Sequence, residues 1–125
     1  MIEVGDLVGI PYKEGGRGLD GMDCYGLLIE IFRRDGKKVP DILYSDHSPD
    51  ITGRVILSLP FRRVPGPPGE MTVLEIVHNG ELHVGVALNK KEFIHATRLG
   101  VRVNQIGLYK VRSLYEWDSS TYIEE

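Results

Sequence analysis

The chain has 125 residues, of which 42% are hydrophobic and 26% are charged, and its formal net charge is −3. This length predicts a single domain, residues 1–125, with one hydrophobic core. There is no basic excess to favour nucleic acid as a partner, and no apolar run reaches the ~20 residues that membrane insertion requires.

The chain contains one cysteine, which excludes a framework of intrachain disulfide bonds. Packing alone must therefore hold the fold together. The N-terminal segment MIEVGDLVGI has no basic stretch followed by a long apolar run, so we expect no secretory signal and a soluble chain.

The first predicted element is a helix that begins at the only cysteine, Cys24. The preceding stretch, residues 12–23, contains four glycines in twelve residues and predicts an irregular loop, because glycine permits tight turns. Asp23 is a suitable N-cap, and Gly36 ends the helix after a basic last turn. The apolar residues that recur with helical period are Leu27, Leu28, Ile31 and Phe32.

The segment of residues 39–70 carries six of the seven prolines, so long regular elements are not expected there. Ser48-Pro49 predicts the start of a short helix from about Asp50 to Leu59. The stretch VPGPPGE, residues 64–70, should be extended or turning, because each proline restricts the residue before it.

From Met71 onward the pattern predicts four consecutive strands, in residues 71–78, 81–89, 92–98 and 101–106. Asn79-Gly80 is a strong hairpin signal, and connections this short require antiparallel neighbours. The tail, residues 108–125, predicts one more strand or a short helix before an acidic, frayed end. One helix followed by an antiparallel sheet makes an α+β domain.

Cys24 allows two interpretations. Free cysteine is often a small buried hydrophobe. However, a thiol in the first turn of a helix lies near unpaired N–H groups and the helix dipole, which favour the nucleophilic thiolate. The choice depends on whether a histidine reaches the sulphur.

The chain has four histidines, of which His47 and His78 lie in or beside polar loops and are expected to face solvent. His83 and His95 lie inside predicted strands. If the connection NKK is a three-residue loop, Gly85 pairs with His95 and both histidines share one face, about 7–8 Å apart at the backbone. A two-residue loop would move His95 to the other face, because a one-residue slip inverts every side chain.

Two histidines on one face and a cysteine at a helix start favour a Cys-His pair with a third, orienting group. The competing interpretation is that both histidines are half-buried structural residues. A zinc site formed by Cys24, His83 and His95 is a further alternative, but it lacks a fourth ligand and a closely spaced ligand pair. We therefore expect no metal or other cofactor.

Three motifs resemble those of the NlpC-type cell-wall cysteine peptidases. PYKEGGRGLDGMDCYGL resembles the nucleophile motif, with an aromatic residue, a double glycine and then Asp-Cys-x-Gly-Leu. PPGEMTVLE resembles the Pro-Gly-Asp-Leu strand, and HVGVALNKKEFIHATRLGVRV resembles the His-Val-Gly hairpin with its His-Ala strand. The resemblance runs from about Pro11 to Val103, with the motifs in the family's order.

The resemblance implies a papain-like α+β fold and hydrolysis of amide bonds in peptidoglycan stem peptides, commonly next to D-γ-glutamyl or diamino-acid residues. By the same resemblance, Cys24 is the nucleophile, His83 the general base and His95 the residue that orients it. Tyr12 matches the family tyrosine near the nucleophile, and Asp23 matches the acidic residue that helps to bind substrate.

Tyr25 stands where many members of the family have serine, and we assign it to the substrate-binding groove. An aromatic residue after the cysteine, like the small size of the chain, resembles the phage tail-tip branch. This leaves open a tail assembly or structural component with little catalysis, with phage tail proteins as partners. An amidase or transferase of small peptides is a third alternative. We expect a cytoplasmic or virion-associated protein that acts at the cell wall.

Overall fold

The computed structural model describes residues 2–41 and 59–118. In these ranges, one α-helix, α1 (Cys24–Arg34), packs on a six-stranded antiparallel sheet, and a two-stranded ribbon precedes the helix. The strands are β1 (Arg17–Gly18), β2 (Gly21–Met22), β3 (Phe61–Val64), β4 (Val73–His78), β5 (Glu81–Ala87), β6 (Glu92–Thr97), β7 (Gly100–Gln105) and β8 (Lys110–Trp117). Gly5–Leu7 and Ile106–Leu108 form single turns of 3-10 helix.

The predicted helix is confirmed at both ends. Asp23 is the N-cap, and its side chain accepts a hydrogen bond from the Gly26 N–H, which satisfies one of the unpaired N–H groups of the first turn. Arg33 and Arg34 form the basic last turn, and Gly36 follows with a φ of 76°, a left-handed conformation that glycine adopts without strain.

The large sheet has the order β3-β8-β4-β5-β6-β7, and all its described pairs are antiparallel. The four strands predicted after Met71 are confirmed as β4 to β7. The tail contributes a strand, β8, rather than a helix, and this strand lies inside the sheet between β3 and β4. Proximity along the chain therefore does not determine the order of the strands.

The prediction for the proline-rich segment missed β3, a four-residue strand that, among the strands of residues 2–41 and 59–118, pairs with β8 alone. Pro60 and Pro65 flank it, so the prolines limit its length without preventing it. The predicted helix of residues 50–59 lies outside the described residues, apart from Leu59.

The sheet buries both of its faces. One face packs against α1 and contains Val84, Val86, Ile94 and Ala96. The other face carries a smaller apolar cluster of Leu74, Ile76, Ala87 and Phe93. None of the helices in the described ranges has the length and apolar character needed to cross a membrane.

Candidate active site

Cys24 is the first residue of α1, and the loop before the helix is held against this end by Asp23. One oxygen of the Asp23 carboxylate accepts from the Gly26 N–H (2.7 Å) and from Arg17 Nη1 (2.9 Å). The other accepts from the Gly15 N–H (3.0 Å). Both oxygens of the predicted substrate-binding carboxylate are thus engaged inside the protein, where they join the glycine-rich loop to the helix.

The motif requires glycine at position 26 because the backbone of the glycine-rich loop approaches the helix closely there. A Cβ atom at Gly26 would lie 2.2 Å from the carbonyl oxygen of Gly16. A Cβ at Gly16 would lie 2.5 Å from the carbonyl oxygen of Gly21. The loop therefore wraps onto the helix start only with glycine at both positions, and this contact positions the backbone around Cys24.

The Cys24 thiol is buried, with 6% of the residue exposed. Burial raises the pKa of the thiol to about 11, and the negative charge of Asp23 adds to this rise. Hydrogen bonds from the backbone of Val84, and from the helix start at Cys24 and Tyr25, oppose it. The thiol is therefore protonated at neutral pH, and a base must remove its proton before the sulphur can attack.

The predicted register of the two histidines is confirmed. Gly85 pairs with His95, and the Leu88 N–H donates to the Glu92 carbonyl (2.9 Å), so the connection has three residues. His83 and His95 consequently lie on the same face of the sheet. This is the face opposite α1, because Ile76, the cross-strand partner of His83, belongs to the cluster on that side.

The backbone of β5 explains how a thiol on the helix side comes close to these strands. The Ala87 N–H donates to the carbonyl of the residue before β4 (2.7 Å), so by alternation the Val84 N–H points towards β6. Pairing between β5 and β6 ends at Gly85 and His95, which leaves the Val84 N–H to another acceptor. The Val84 backbone lowers the pKa of the Cys24 thiol, which indicates that the sulphur lies on the helix side of the sheet near this part of β5.

His95 is held by partners that the sequence analysis did not identify. It is 4% exposed, and its Nε2 forms a hydrogen bond with Asn104 Oδ1 at 2.7 Å. The ring stacks near Phe93, with 4.4 Å between centroids, and meets Tyr109 edge-on at 5.3 Å. The cross-strand register of β6 and β7 determines these contacts, so only the alternation of β7 could have indicated Asn104.

Burial lowers the pKa of His95 from its ordinary value of 6.5, the positive charge of His78 lowers it too, and the bond to Asn104 opposes both. His95 is therefore neutral at physiological pH. A neutral imidazole that donates Nε2–H to an amide oxygen has Nδ1 as its acceptor, which fixes the tautomer.

Both histidines line one cavity of about 390 Å³. Its lining consists of Ile76, His78, Asn79, Glu81, His83, His95, Ala96, Thr97, Arg98, Leu99, Arg102, Asn104 and Tyr109. His83 Nε2 lies 4.0 Å from Glu81 Oε2 on the wall of this cavity. The structure thus brings the two histidines to one cavity, whereas Cys24 belongs to the core on the α1 side of the sheet.

Tyr12 is influenced by charges on both the thiol side and the cavity side. Its pKa is raised first by burial and then by the negative charges of Cys24 and Asp23, whereas the positive charge of Arg98 opposes the rise. Arg98 is also part of the cavity wall. The predicted binding residue Tyr12 is therefore electrostatically coupled both to the thiol side and to the cavity.

Tyr25 lies in the core rather than on a groove surface, with 2% of the residue exposed. Its hydroxyl donates to the carbonyl oxygen of Pro40, and the Arg17 guanidinium lies 5.4 Å from the centre of its ring. An effect of Tyr25 on substrate choice would have to act through the loop that it supports.

The zinc alternative needs three ligands in one place. Within residues 2–41 and 59–118, no group of three or more histidine, cysteine, aspartate and glutamate side chains is arranged to hold a metal ion.

The bond between Asn104 and His95 gives a testable expectation. Asn104→Leu replaces the amide with an apolar side chain of similar size and removes the acceptor of the His95 hydrogen bond. Because this bond raises the pKa of His95, its loss should lower that pKa further below 6.5. An NMR titration of the His95 ring measures the change. Gln105→Leu, at the exposed neighbour of Asn104 in β7, is the control and should leave the titration unchanged. A rise in the His95 pKa in Asn104→Leu would contradict the assigned hydrogen bond.

Comparison with known proteins shows which family the chain resembles. The NlpC/P60 family model matches residues 9–117. Similar solved structures include NlpC2 from Trichomonas vaginalis, with a TM-score of 0.63 and 21% identity over 91% of this chain and 44% of that chain. The NlpC/p60 domain of the peptidoglycan hydrolase SagA has a TM-score of 0.60 and 19% identity over 86% of this chain and 87% of that chain.

The chain thus spans less than half the length of NlpC2. A search of curated protein sequences finds no match. At these identities the structural likeness bears on the fold alone, and it confirms the predicted papain-like α+β fold.

Proposed function

Since the chain belongs to the NlpC/P60 family, we propose that it is a cysteine peptidase that hydrolyses amide bonds in peptidoglycan stem peptides. The observation that carries this proposal is the position of the Cys24 sulphur. It lies at a helix start and near Val84 of β5, the strand that also bears His83. The printed description of SagA as a peptidoglycan hydrolase supports the same class of substrate.

In this proposal, His83 acts as the general base. Its imidazole takes the proton from the Cys24 thiol, and the sulphur attacks the carbonyl carbon of the scissile amide. The negative charge that develops on the carbonyl oxygen is stabilised by the backbone N–H of Cys24 at the helix start. The imidazolium then donates its proton to the leaving amine, and water hydrolyses the thioester.

His95 orients His83 in this scheme without exchanging protons itself. Its low pKa keeps it neutral, and its bond to Asn104 fixes the direction of the ring. A neutral orienting group leaves the positive charge on His83 during the reaction, which is the charge that stabilises the thiolate. Tyr12, near both Cys24 and Arg98, would contact the substrate between the thiol and the cavity.

The direct test is digestion of peptidoglycan and of synthetic stem peptides with the purified protein, with products identified by mass spectrometry. New amine and carboxyl ends at one amide bond are expected, and iodoacetamide should stop the reaction while labelling Cys24. Added amine acceptors distinguish hydrolysis from acyl transfer, because a transferase would form new amides. Absence of cleavage across several wall chemotypes would contradict the proposal.

A second candidate function is that of a tail assembly or structural component with little catalysis, and the burial of Cys24, of which 6% is exposed, is the observation that favours weak catalysis. A buried, protonated thiol is a poor nucleophile unless a base acts on it. In that case the same digestion would give no products while the protein bound phage tail proteins. This second proposal also includes a virion-associated protein that acts at the cell wall.

A further inference from the structure

Arg17 joins three parts of the chain around the start of α1. Its Nη1 donates to the Gly16 carbonyl and to Asp23 Oδ1, both at 2.9 Å, and its Nε donates to Asp41 Oδ1 at 2.9 Å. The side chain is 22% exposed, so solvent reaches only a small part of the guanidinium. Arg17 therefore holds the glycine-rich loop, the N-cap and the segment after the helix in one network.

Tyr25 belongs to the same network. The Arg17 guanidinium lies over its ring, 5.4 Å from the centre, which is within the range of a cation–π contact. The Tyr25 hydroxyl donates to the carbonyl of Pro40, the residue before Asp41. The aromatic residue that directly follows the cysteine thus fixes the place of the guanidinium beside the helix start.

Asp23 brings a negative charge next to the nucleophile. It directly precedes Cys24, and its side chain is 11% exposed, so water screens its charge weakly. Burial raises the pKa of the Cys24 thiol most, and the charge of Asp23 raises it further. A positive group bonded to this carboxylate offsets that charge and so favours the thiolate.

Other titratable groups near the thiol do not replace Arg17 in this respect. Tyr12 is within electrostatic reach of Cys24, but burial raises its pKa and keeps it neutral at working pH. Glu75, the cross-strand partner of Val84 on the helix side of the sheet, is bonded to Tyr115. The residues of β5 and β6 that pack on this side are apolar, namely Val84, Val86, Ile94 and Ala96.

We infer that Arg17 is a positioning residue of the nucleophile, which neutralises the charge of Asp23 beside Cys24 and thereby promotes attack by the sulphur. It acts through Asp23 and does not touch the reacting atoms. Arginine suits this task because it keeps its charge at any working pH, and its planar fork of donors binds several oxygens at once. The inference goes beyond the proposed function, because it concerns the thiol and holds for any electrophile that reaches it.

The test is the rate at which iodoacetamide alkylates Cys24 in the full chain, followed by mass spectrometry. The chain has one cysteine, so the label reports this thiol alone. Rates are taken at about pH 7, 8 and 9, where a reaction of the thiolate accelerates about tenfold per step. Arg17→Gln should lower the rate about 3-fold to 10-fold at each pH, because the charge of Asp23 is then uncompensated. Arg17→Lys should stay within about 2-fold of the wild type, since it keeps the charge without the fork.

Arg33→Gln is the matched control. Arg33 also pairs with a carboxylate, that of Glu30, but it lies about 14 Å from Cys24 along the helix axis, so its loss should not change the rate. A purely structural role of Arg17 predicts a different pattern, because a loosened loop would expose the thiol and accelerate alkylation. The inference is refuted if Arg17→Gln reacts as fast as the wild type or faster, or if Arg17→Lys or Arg33→Gln loses as much as Arg17→Gln.

Asp23→Asn tests the same balance from the other side and decides the question if Arg17→Gln does not fold. Asparagine is an equally good N-cap, so the helix start is kept while the negative charge is lost. Alkylation should then be about 3-fold to 10-fold faster than in the wild type, and an unchanged or lower rate would contradict the inference. None of these rates depends on cleavage of peptidoglycan, so they stand apart from the test of the peptidase function.

Discussion

Replacing Cys24 with alanine is expected to lower the rate of stem-peptide cleavage by about a thousandfold or more, because no other side chain at this position can form the thioester. The thiol occupies the helix start and contacts the Val84 backbone, so alanine removes the sulphur without changing the loop. Cys24→Ser should be equally inactive, since a hydroxyl in this buried place is a still weaker nucleophile.

Cleavage should be measured as single-turnover product formation, with circular dichroism and thermal unfolding to show that the variants fold. His83→Gln should reduce the rate by roughly 10²-fold to 10⁴-fold, the usual contribution of a general base. If Cys24→Ala keeps the activity of the wild type, the reaction does not use the thiol and the proposed mechanism fails. If Cys24→Ala is inactive but His83→Gln keeps the activity of the wild type, a group other than His83 must take the proton.

Gly26→Ala is expected to destabilise the protein by about 3 kcal/mol, although alanine is normally the better residue inside a helix. The added Cβ would lie 2.2 Å from the Gly16 carbonyl oxygen, and a backbone atom cannot move away as a flexible side chain can. The glycine-rich loop would have to leave the helix start, where Asp23 holds it through the Gly15 N–H.

Urea unfolding gives the free energy of unfolding, and a melting temperature lower by roughly 10 °C should accompany the loss. Gly107→Ala is the matched control, because a Cβ there meets no atom within 4 Å and its φ is not positive. Gly107→Ala should be neutral or slightly stabilising. Equal stability of Gly26→Ala and the wild type would mean that the loop does not pack on the helix as described.

Much of the fold followed from local signals in the sequence. The Asp23 cap, the apolar period of α1 and the Asn79-Gly80 turn each depend on neighbouring residues only, and each was confirmed. The register of β5 and β6 was predicted only for a three-residue connection, with a two-residue loop as the alternative, and the structure has the three-residue connection. β3 was missed because a short edge strand gains its stability from β8, which is more than forty residues away.

The candidate site likewise combines features that the sequence indicates with features that depend on long-range contacts. The choice of Cys24, His83 and His95 as candidates follows from the sequence, whereas the shared face of the two histidines depends on the loop length that the structure shows. Their catalytic roles remain predictions. Asn104 as the partner of His95 depends on a second hairpin, and the core position of Tyr25 depends on Pro40, so neither was visible in the sequence.

The sequence by itself determined the family and the helix that presents the thiol, because these depend on motif spacing and on periodicity within a few residues. It left the parity of the histidine strands open, and the three-residue connection in the structure decided it. Only the tertiary structure decided that Cys24 is buried in the core on the α1 side of the sheet, and that the two histidines share a cavity on the other side. Burial and cross-strand contacts join residues far apart in the chain, so no local pattern records them.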